Sequence, residues 1–448
     1  MTSSLGPEMP RSPPARIWRQ HASLGLLAVF TTAGGFAATV VRGPYLQAAT
    51  QESVVVRWRT DTPAKSVVRF GLRADRLDQM VEDDKELSDH IIKIAGLKPD
   101  TRYYYSVGDG THLTGGPDFS VASLPVAGRP RPVRFWVLGD PGTGDARAKA
   151  VRDAYGKFTA GKTTDFIVLL GDNAYPDGTD AEYQQGFFDV YPEMLRRAVL
   201  WPALGNHDSH SAQSATQSGP YFDNFTVPTA GESGGMPSGT KAYYSFDFAN
   251  VHFVSLDTSD SNRAPDGPML RWLKADLAAT KQEWIIPFFH HPPYTKGNHD
   301  SDAAKNNHDL FEVREQILPV LEAAGVDLII AGHSHSYERS WLIDGHYGVS
   351  STFEAAKYIK QAGLGQPAKD GPYHKSSART PHEGEVIVVA GSSGKVTPAK
   401  LAPLNHPAMA VSVRETGSLM VEVDGDKLEV TFLNGEGQVR DSFRMEKK

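Results

Sequence analysis

Carboxylate, amide and imidazole side chains follow five short apolar runs in this sequence. The runs are Val133–Leu138, Phe166–Leu170, Val199–Leu204, Trp284–Phe289 and Leu328–Ala331. The polar groups directly after them are Gly139-Asp140, Gly171-Asp172-Asn173-Ala174-Tyr175, Gly205-Asn206-His207-Asp208, His290-His291-Pro292 and Gly332-His333-Ser334-His335. One such group alone is usually a turn or a polar loop, so the inference depends on the joint pattern. Carboxylate, amide and imidazole donors without sulfur suit cations such as iron, manganese and zinc.

The number of candidate ligands points to two cations. Seven or eight donors are too many for one ion, and two ions roughly 3.5–4 Å apart form a clamp suited to phosphoryl transfer. The chain has no cysteine, which excludes a thiolate metal site and a cysteine nucleophile. No Gly-x-Ser-x-Gly sequence occurs in the context that a nucleophilic serine requires.

These donors need strands to bring them together. Short apolar runs that alternate with amphipathic stretches are typical of buried strands and crossover helices. We predict helices at 145–158, 180–198, 268–280 and 308–324. In open α/β sheets, binding sites form outside the carboxyl ends of the strands, so we expect the five polar groups to share one rim.

The segment from residue 40 to about 125 has a different pattern. Its β-branched runs predict strands at Val54–Arg59, Ser66–Phe70 and His90–Ile94. The sequence Leu-x-Pro-x-Thr-x-Tyr-x-Tyr from Leu97 predicts a corner capped by a tyrosine hydroxyl. With Trp58 as a core residue, this module resembles a fibronectin type III-like sandwich. Fold does not give function, and we expect a scaffold or docking module here.

The rest of the chain predicts a linker, an excursion and a hairpin. Residues 121–131 (VASLPVAGRPR) have the composition of a linker, and residues 345–383 that of a long surface excursion. After the apolar run Val386–Ala390, the runs Ser418–Val423 and Lys427–Phe432 predict a hairpin across Asp424-Gly425.

Composition and the N-terminus indicate an exported, folded protein. The chain has 448 residues and a net charge of -7, which argues against a general nucleic-acid binder. Residues 1–37 combine a basic region, a short apolar core from Ala22 to Phe30 and small residues near Ala37, the pattern of a signal peptide. No later apolar run reaches the ~18 residues of a membrane span. We therefore expect a secreted or periplasmic protein.

The ordered motifs resemble those of a known family. The series Gly-Asp, Gly-Asp-x-x-Tyr, Gly-Asn-His-Asp, His-x-Pro and Gly-His-x-His is similar to that of the calcineurin-like metallophosphoesterases. Tyr175, three residues after Asp172, narrows the resemblance to the purple acid phosphatases. The sequence from Ala331 to Arg339 does the same. The start of the N-terminal module, Arg42-Gly-Pro-Tyr45-Leu-Gln, also matches that family. The resemblance implies a four-layer α/β fold over residues 131–448, a β-sandwich flanked by helices.

The resemblance also implies a ligand set. Asp172 would bridge both cations. The first cation, Fe³⁺, would be held by Asp140, Asp172, Tyr175 and His335. The second, a divalent ion of zinc, manganese or iron, would be held by Asp172, Asn206, His290 and His333.

Three further residues receive catalytic roles, two from their position directly after Asn206 and one from the spacing at which the family places an outer histidine. His207 would lie beside the substrate phosphate, and Asp208 would fix its tautomer. His299, nine residues after His290, would assist departure of the alcohol. His291 departs from the family pattern and receives no role.

The implied function is that of an acid phosphatase acting on small phosphate monoesters by attack of a metal-bound hydroxide. A phosphodiesterase or nucleotide hydrolase on the same site is the alternative. An exported binding protein with an inactive catalytic domain is favoured less, because every ligand position is filled. The sequence leaves the oligomeric state, the second metal and the role of loop 345–383 open.

Overall fold

Two large β-sheets with helices on their outer faces make up the part of the chain that can be described. A computed structural model describes residues 38–303, 305, 307–398 and 403–448. The predicted signal peptide, residues 1–37, lies outside these described residues.

The strands fall into an N-terminal group and a larger C-terminal group. The N-terminal strands are β1 (Val40–Gln47), β2 (Ser53–Gly71), β3 (Gln79–Ala95), β4 (Arg102–Gly108) and β5 (Leu113–Ala122). The following strands are β6 (Val133–Leu138), β7 (Phe166–Leu169), β8 (Val199–Pro202), β9 (Tyr244–Phe248), β10 (Val251–Ser255), β11 (Trp284–Phe289), β12 (Leu328–Ala331), β13 (Tyr337–Ser340), β14 (Leu342–Ile343), β15 (Ile359–Gln361), β16 (Tyr373–Lys375), β17 (Val386–Ala390), β18 (Met409–Val413), β19 (Gly417–Asp424), β20 (Lys427–Asn434) and β21 (Val439–Lys447).

Strand pairing gives two main sheets and one small one. Within the described residues, the first sheet has the order β16-β21-β20-β19-β6-β7-β8-β1-β2-β4-β5, with β3 paired to β2. The second has the order β18-β13-β17-β12-β11-β10-β9, and β14 pairs with β15 in a small sheet of two strands. The predicted hairpin across Asp424-Gly425 is confirmed by the antiparallel pairing of β19 with β20.

Helices cover the outer faces of both sheets. They are α1 (Ala146–Phe158), α2 (Asp180–Glu182), α3 (Pro192–Leu195), α4 (Pro220–Asn224), α5 (Pro268–Ala279), α6 (His308–Glu312), α7 (Leu318–Ala323) and α8 (Ala355–Tyr358). The predicted helices at 180–198 and 308–324 contain π-helical turns at Tyr183–Phe188 and Val313–Ile317. The predicted excursion at 345–383 contains α8, β15 and β16 rather than loop alone.

The inner faces of the two sheets form the core. Trp201 of the first sheet stacks on Phe246 of the second at 3.8 Å between ring centroids. Phe135 and Phe253 meet edge-on at 5.2 Å. On the outer faces, Trp136 stacks on Tyr155 of α1. The result is the four-layer α/β arrangement, helices–sheet–sheet–helices, that the resemblance implied.

The N-terminal module has the predicted corner. The Tyr103 hydroxyl accepts a hydrogen bond from the backbone N–H of Lys98 at 3.0 Å. Trp58 is buried and stacks on the ring of His90 at 4.6 Å, and both imidazole nitrogens of His90 bond to hydroxyl groups. Core packing therefore explains Trp58, as expected from the sequence, and it also explains His90.

The N-terminal module docks onto the larger one through a buried arginine. Arg42 Nη1 lies 2.8 Å from Asp180 Oδ1 and 2.6 Å from Asn224 Oδ1. Its Nε lies 2.6 Å from Gln184 Oε1. Because the planar Arg42 guanidinium group donates to three acceptor side chains at once, it fixes how the N-terminal module is oriented on the larger one.

His252 on β10 forms a buried ion-pair triad. Its Nδ1 lies 2.7 Å from Asp247 Oδ1 and its Nε2 lies 2.8 Å from Asp276 Oδ2. Burial opposes protonation, but the two carboxylates outweigh it and raise the pKa of His252 to about 9. The native state therefore holds a protonated imidazole between two carboxylates.

This triad predicts a pH-dependent stability. Since the folded pKa lies above the unfolded one, the stabilisation is complete below about pH 6.5 and is lost as pH rises through about 9. It amounts to roughly 3 kcal/mol. We expect His252→Gln to lower Tm most near pH 6.5, with a deficit that shrinks above pH 9. Thermal unfolding by circular dichroism measures this, with the exposed His308→Gln as control. A deficit independent of pH would contradict a charged triad.

No helix among the described residues is long and apolar enough to cross a membrane.

Candidate metal centre

Five strands deliver polar side chains to one edge of the molecule. Three of them, β6, β7 and β8, are neighbours in the first sheet, and β11 and β12 are neighbours in the second. The shared rim predicted from the sequence is therefore assembled by two facing sheets rather than by one.

The backbone at this rim adopts unusual conformations. Asp140, Asp172 and His333 have positive φ values of 58°, 53° and 65°. Such left-handed residues other than glycine are uncommon and concentrate at functional sites. A Cβ on Gly205 would lie 2.0 Å from the backbone nitrogen of Asp172, so only glycine fits where these two loops cross.

One set of donors surrounds the Tyr175 hydroxyl. The Tyr175 oxygen lies 3.0 Å from Asp140 Oδ1, 2.8 Å from Asp172 Oδ2 and 3.4 Å from His335 Nε2. His335 Nε2 is also 3.4 Å from Asp140 Oδ1. The four residues that the resemblance assigns to the first cation therefore converge in the structure.

A second set of donors surrounds His290. Its Nε2 lies 2.9 Å from Asn206 Oδ1, 3.1 Å from His333 Nδ1 and 3.3 Å from Asp172 Oδ1. Its Nδ1 lies 2.8 Å from the carbonyl oxygen of Leu170, which assigns the ring proton to Nδ1. The lone pair of Nε2 therefore points at the other donors.

Asp172 belongs to both sets. Its Oδ2 faces Tyr175, and its Oδ1 faces His290. Its Oδ1 also accepts a hydrogen bond from the backbone N–H of His207 at 2.9 Å. One carboxylate thus presents one oxygen to each group of donors.

Burial sets the protonation of these groups. It raises the pKa of Asp140 to about 7 against the opposing effect of His290. It raises the pKa of Tyr175 well above the usual range, and the two neighbouring carboxylates add to this. Burial also lowers the pKa of His335 to about 4, which keeps this ring in the neutral form that binds metals.

The donor chemistry fits two cations. Asp172 Oδ1, Asn206 Oδ1 and the unprotonated His290 nitrogen turn lone pairs toward one another, and buried lone pairs in contact are unfavourable unless a cation or a proton lies between them. A bound cation offsets the burial of the carboxylates and reverses the pKa shift of Tyr175. A phenolate beside carboxylates suits a hard trivalent ion, and the amide with two imidazoles suits a divalent one.

The structure corrects the expected role of Asp208. The residue that orients His207 is Pro176, whose carbonyl oxygen lies 2.5 Å from His207 Nδ1. Asp208 is buried and accepts hydrogen bonds from Asn173, Gly205 and the Tyr183 hydroxyl. It therefore fastens the loops after β7 and β8 to each other. Adjacency in sequence suggested contact with His207, but the tight loop turns the two side chains apart.

His299 lies against the site, as expected. Its ring stacks on His333 at 3.7 Å between centroids, and its Nδ1 lies 3.3 Å from Asn307 Oδ1. Burial lowers the pKa of His299 to about 4, which Asn307 partly opposes. His207 keeps its Nε2 3.9 Å from Asp172 Oδ2. The two rings thus belong to the polar rim around the donor sets.

His291 and Lys395 border the site, and the sequence analysis assigned no role to either residue. The His291 ring lies 4.4 Å from that of His333, and its Nδ1 lies 3.0 Å from the Thr258 hydroxyl. Lys395 Nζ lies 3.3 Å from the centre of the Tyr175 ring. The position of Lys395 could have been predicted from the sequence. The residues Gly391-Ser-Ser-Gly394-Lys395 directly follow the apolar strand β17, just as the other polar groups of the site follow their strands.

Two family models match the chain. The calcineurin-like phosphoesterase model covers residues 133–337. The purple acid phosphatase N-terminal domain model covers residues 43–123. Together they cover more than half of the chain and all the residues of the two donor sets.

Similar sequences carry matching names. Purple acid phosphatase 18 of Arabidopsis thaliana is 29% identical over 304 residues, 64% of this chain and 63% of the relative. Purple acid phosphatase 21 of the same plant is 30% identical over 56% of this chain and 53% of the relative. An uncharacterized protein of Mycobacterium tuberculosis is 27% identical over 72% of this chain and 66% of the relative. The chain spans less than two thirds of the length of each of these relatives.

Solved structures agree on the fold. Purple acid phosphatase PPD1 from yellow lupin (Lupinus luteus) seeds has a TM-score of 0.68 and 16% identity, over 91% of this chain and 75% of that one. A structure of PhoD has a TM-score of 0.62 and 13% identity, over 91% of this chain and 90% of that one. With both family models matched in order and the fold shared, the chain belongs to the purple acid phosphatase family of calcineurin-like phosphoesterases.

Proposed function

We propose that this chain is a binuclear metal-dependent phosphatase that releases inorganic phosphate from small phosphate monoesters. The observation that carries the proposal is the pair of donor sets that share Asp172. The relatives named as acid phosphatases support the choice of a monoester substrate.

The chemistry of the donor sets supports an assignment of the two cations. Tyr175, Asp140 and His335 with Asp172 would hold Fe³⁺, because a phenolate and carboxylates are hard donors. Asn206, His290 and His333 with Asp172 would hold a divalent ion of zinc, manganese or iron. Such a pair supplies Lewis-acid stabilisation of a phosphoryl group and lowers the pKa of a water molecule.

His207 would bind and orient the phosphate. Its Nδ1 is engaged by the Pro176 carbonyl, which leaves Nε2 facing the site beside Asp172. When protonated, Nε2 donates to a phosphate oxygen and stabilises charge on the equatorial oxygens.

His299 would hold the proton that the leaving alcohol needs, because the negative charge of a bound phosphate opposes the burial that lowers the pKa of this imidazole to about 4. With Nδ1 directed at Asn307, its Nε2 is the nitrogen available to substrate. Stacking on His333 fixes the plane of the ring. A positioned acid of this kind typically contributes 10²–10⁴-fold to the rate.

The domain layout and location are part of the proposal. Residues 131–448 would form the catalytic domain and residues 40–125 a docked scaffold. Residues 1–37 would direct export, which gives a secreted or periplasmic enzyme. Edman sequencing of the exported protein identifies the first mature residue, which we expect near Ala38.

A substrate panel with metal analysis on the same sample tests the function. We expect two metal ions per chain, including iron, and a visible absorption band that Tyr175→Phe abolishes. We expect kcat/KM for monoesters to exceed that for diesters by at least tenfold. Two bound metals with faster diester turnover would point to a phosphodiesterase on the same site. Two metals without turnover of any phosphate ester would refute the enzymatic proposal.

A further inference from the structure

Lys395, in the loop after β17, places its ammonium group over the ring of Tyr175. The Nζ atom lies 3.3 Å from the centre of that ring, whose hydroxyl belongs to the first set of donors. The ring of His207 packs against the same tyrosine at 4.5 Å between centroids. Tyr175 therefore contacts both a lysine ammonium and the imidazole that would bind the substrate phosphate.

The loop that carries Lys395 is fastened to the metal centre on both sides of the lysine. Before it, the N–H of Ser393 donates to the carbonyl of Gly139 at 3.0 Å, and the Ser393 hydroxyl accepts from the N–H of Gly139 at 3.2 Å. After it, the N–H of Thr397 donates to the carbonyl of His335 at 2.9 Å. Two loops that supply metal donors thus fix the position of the Lys395 backbone.

The charge of Lys395 is not neutralised by a side chain that the structure describes. The lysine is half-buried, and among the described residues it forms no ion pair. The other cation nearby, Arg147, is held by Asp145 at 2.6 Å. Burial lowers the pKa of Lys395, whereas Asp140 and Asp172 raise it. Those two carboxylates belong to the donor sets, so bound metal ions would compete with the lysine for their charge.

Bound metal ions make the position of this ammonium group unfavourable unless an anion is bound as well. A trivalent and a divalent ion together carry more positive charge than the anionic donors Asp140, Asp172 and Tyr175 balance. Lys395 adds to this excess, because like charges repel at short range. A ligand with two negative charges removes more of the excess than a ligand with one, and it is attracted more strongly by the lysine. The surroundings of Lys395 therefore favour a dianion.

We propose that Lys395 selects phosphate monoesters over diesters by donating a hydrogen bond to the phosphoryl group at the metal centre. This inference rests on the proposed function and names a residue that would set its substrate class. A monoester is a dianion above its second pKa of about 6, whereas a diester has a single negative charge and a second alcohol group. Lys395 would therefore act on specificity and would take no part in proton transfer.

Variants of Lys395 in the metal-loaded, full-length enzyme test this proposal at pH 7.5. Lys395→Met should lower kcat/KM for a phosphate monoester by roughly 10–100-fold, the effect of losing a charge-assisted hydrogen bond. It should change kcat/KM for a diester by less than about threefold, because the monoanion gains less from the lysine. Lys395→Arg keeps the charge and should restore most of the preference. The matched control Lys149→Met removes an exposed lysine of α1 and should keep the ratio of wild type.

Ligand binding gives a second readout that does not depend on turnover. Isothermal titration calorimetry should show that Lys395→Met raises the Kd for inorganic phosphate by roughly 10–100-fold. The Kd for dimethyl phosphate, a monoanion, should stay within about threefold of the wild-type value. Elemental analysis of the same samples should find both metal ions retained, which separates a substrate contact from a support for the metal centre.

The proposal is overturned if Lys395→Met lowers monoester and diester turnover equally, if Lys149→Met has the same effect, or if Lys395→Met loses a metal ion. Failure of the proposed function would look different. Wild type would then turn over no phosphate ester or would prefer diesters, and the titrations with inorganic phosphate and dimethyl phosphate would still decide the role of Lys395.

Discussion

Asp172→Ala should leave the protein with neither cation and lower kcat by roughly 10⁴-fold or more, because the removed carboxylate faces both donor sets. Its Oδ2 is 2.8 Å from the Tyr175 hydroxyl, and its Oδ1 is 3.3 Å from His290 Nε2. Each set would also lose the negative charge that opposes repulsion between the cations. Metal content by elemental analysis and turnover of a nitrophenyl phosphate measure the two effects.

The comparison with single-set variants makes this a test of bridging. Asn206→Ala and His333→Ala each remove a donor that contacts only the set around His290. We expect them to lose the divalent ion, to retain iron and to keep the visible band. Asp172→Asn, which preserves the volume of the side chain, shows whether the loss in Asp172→Ala comes from charge or from unfolding. Equal depletion of both metals in all these variants would show that the sets are not linked through Asp172.

The strand-end pattern predicted most of this site because it follows from backbone chemistry. Apolar runs of four to six residues are typical of central strands that are buried on both faces, and the polar residues after such strands then meet at an edge. Asp140, Asp172, Asn206, His290 and His333 were found in this way. The strand-end pattern alone could not show that two sheets share the edge, which only the family resemblance implied, since strand order depends on packing between the large aromatic residues of the inner faces.

Contacts that depend on loop geometry could not be predicted. Asp208 is adjacent to His207 in sequence, yet the short loop after Asn206 turns its carboxylate toward Tyr183 and away from the imidazole. Pro176 accepts a hydrogen bond from His207 through its backbone carbonyl. Every residue has such a carbonyl, so the sequence does not indicate which one makes this contact. Each of these contacts is a property of the assembled chain.

His299→Ala should lower kcat by roughly 10²–10⁴-fold while both cations stay bound. The ring stacks on His333 rather than joining a donor set, and its nearest hydrogen-bond partner is Asn307 at 3.3 Å. Because the proposed task of His299 is to protonate the leaving oxygen, the loss should depend on the alcohol. It should be largest for alkyl phosphates and small for nitrophenyl phosphate, whose leaving oxygen needs little protonation.

A plot of log kcat against leaving-group pKa tests this role directly. The slope should become more negative in His299→Ala than in wild type, whereas a merely structural change would shift the line without tilting it. Asn307→Ala removes the partner of His299 Nδ1 and also the hydrogen bond from Asn307 Nδ2 to the carbonyl of Asp300. It should give the same tilt at smaller magnitude, since the His299 ring stays stacked on His333. Elemental analysis and the visible band of the same samples confirm that the centre is intact. A uniform loss across leaving groups would move the acid role to His207, whose Nε2 is the other imidazole nitrogen facing the site.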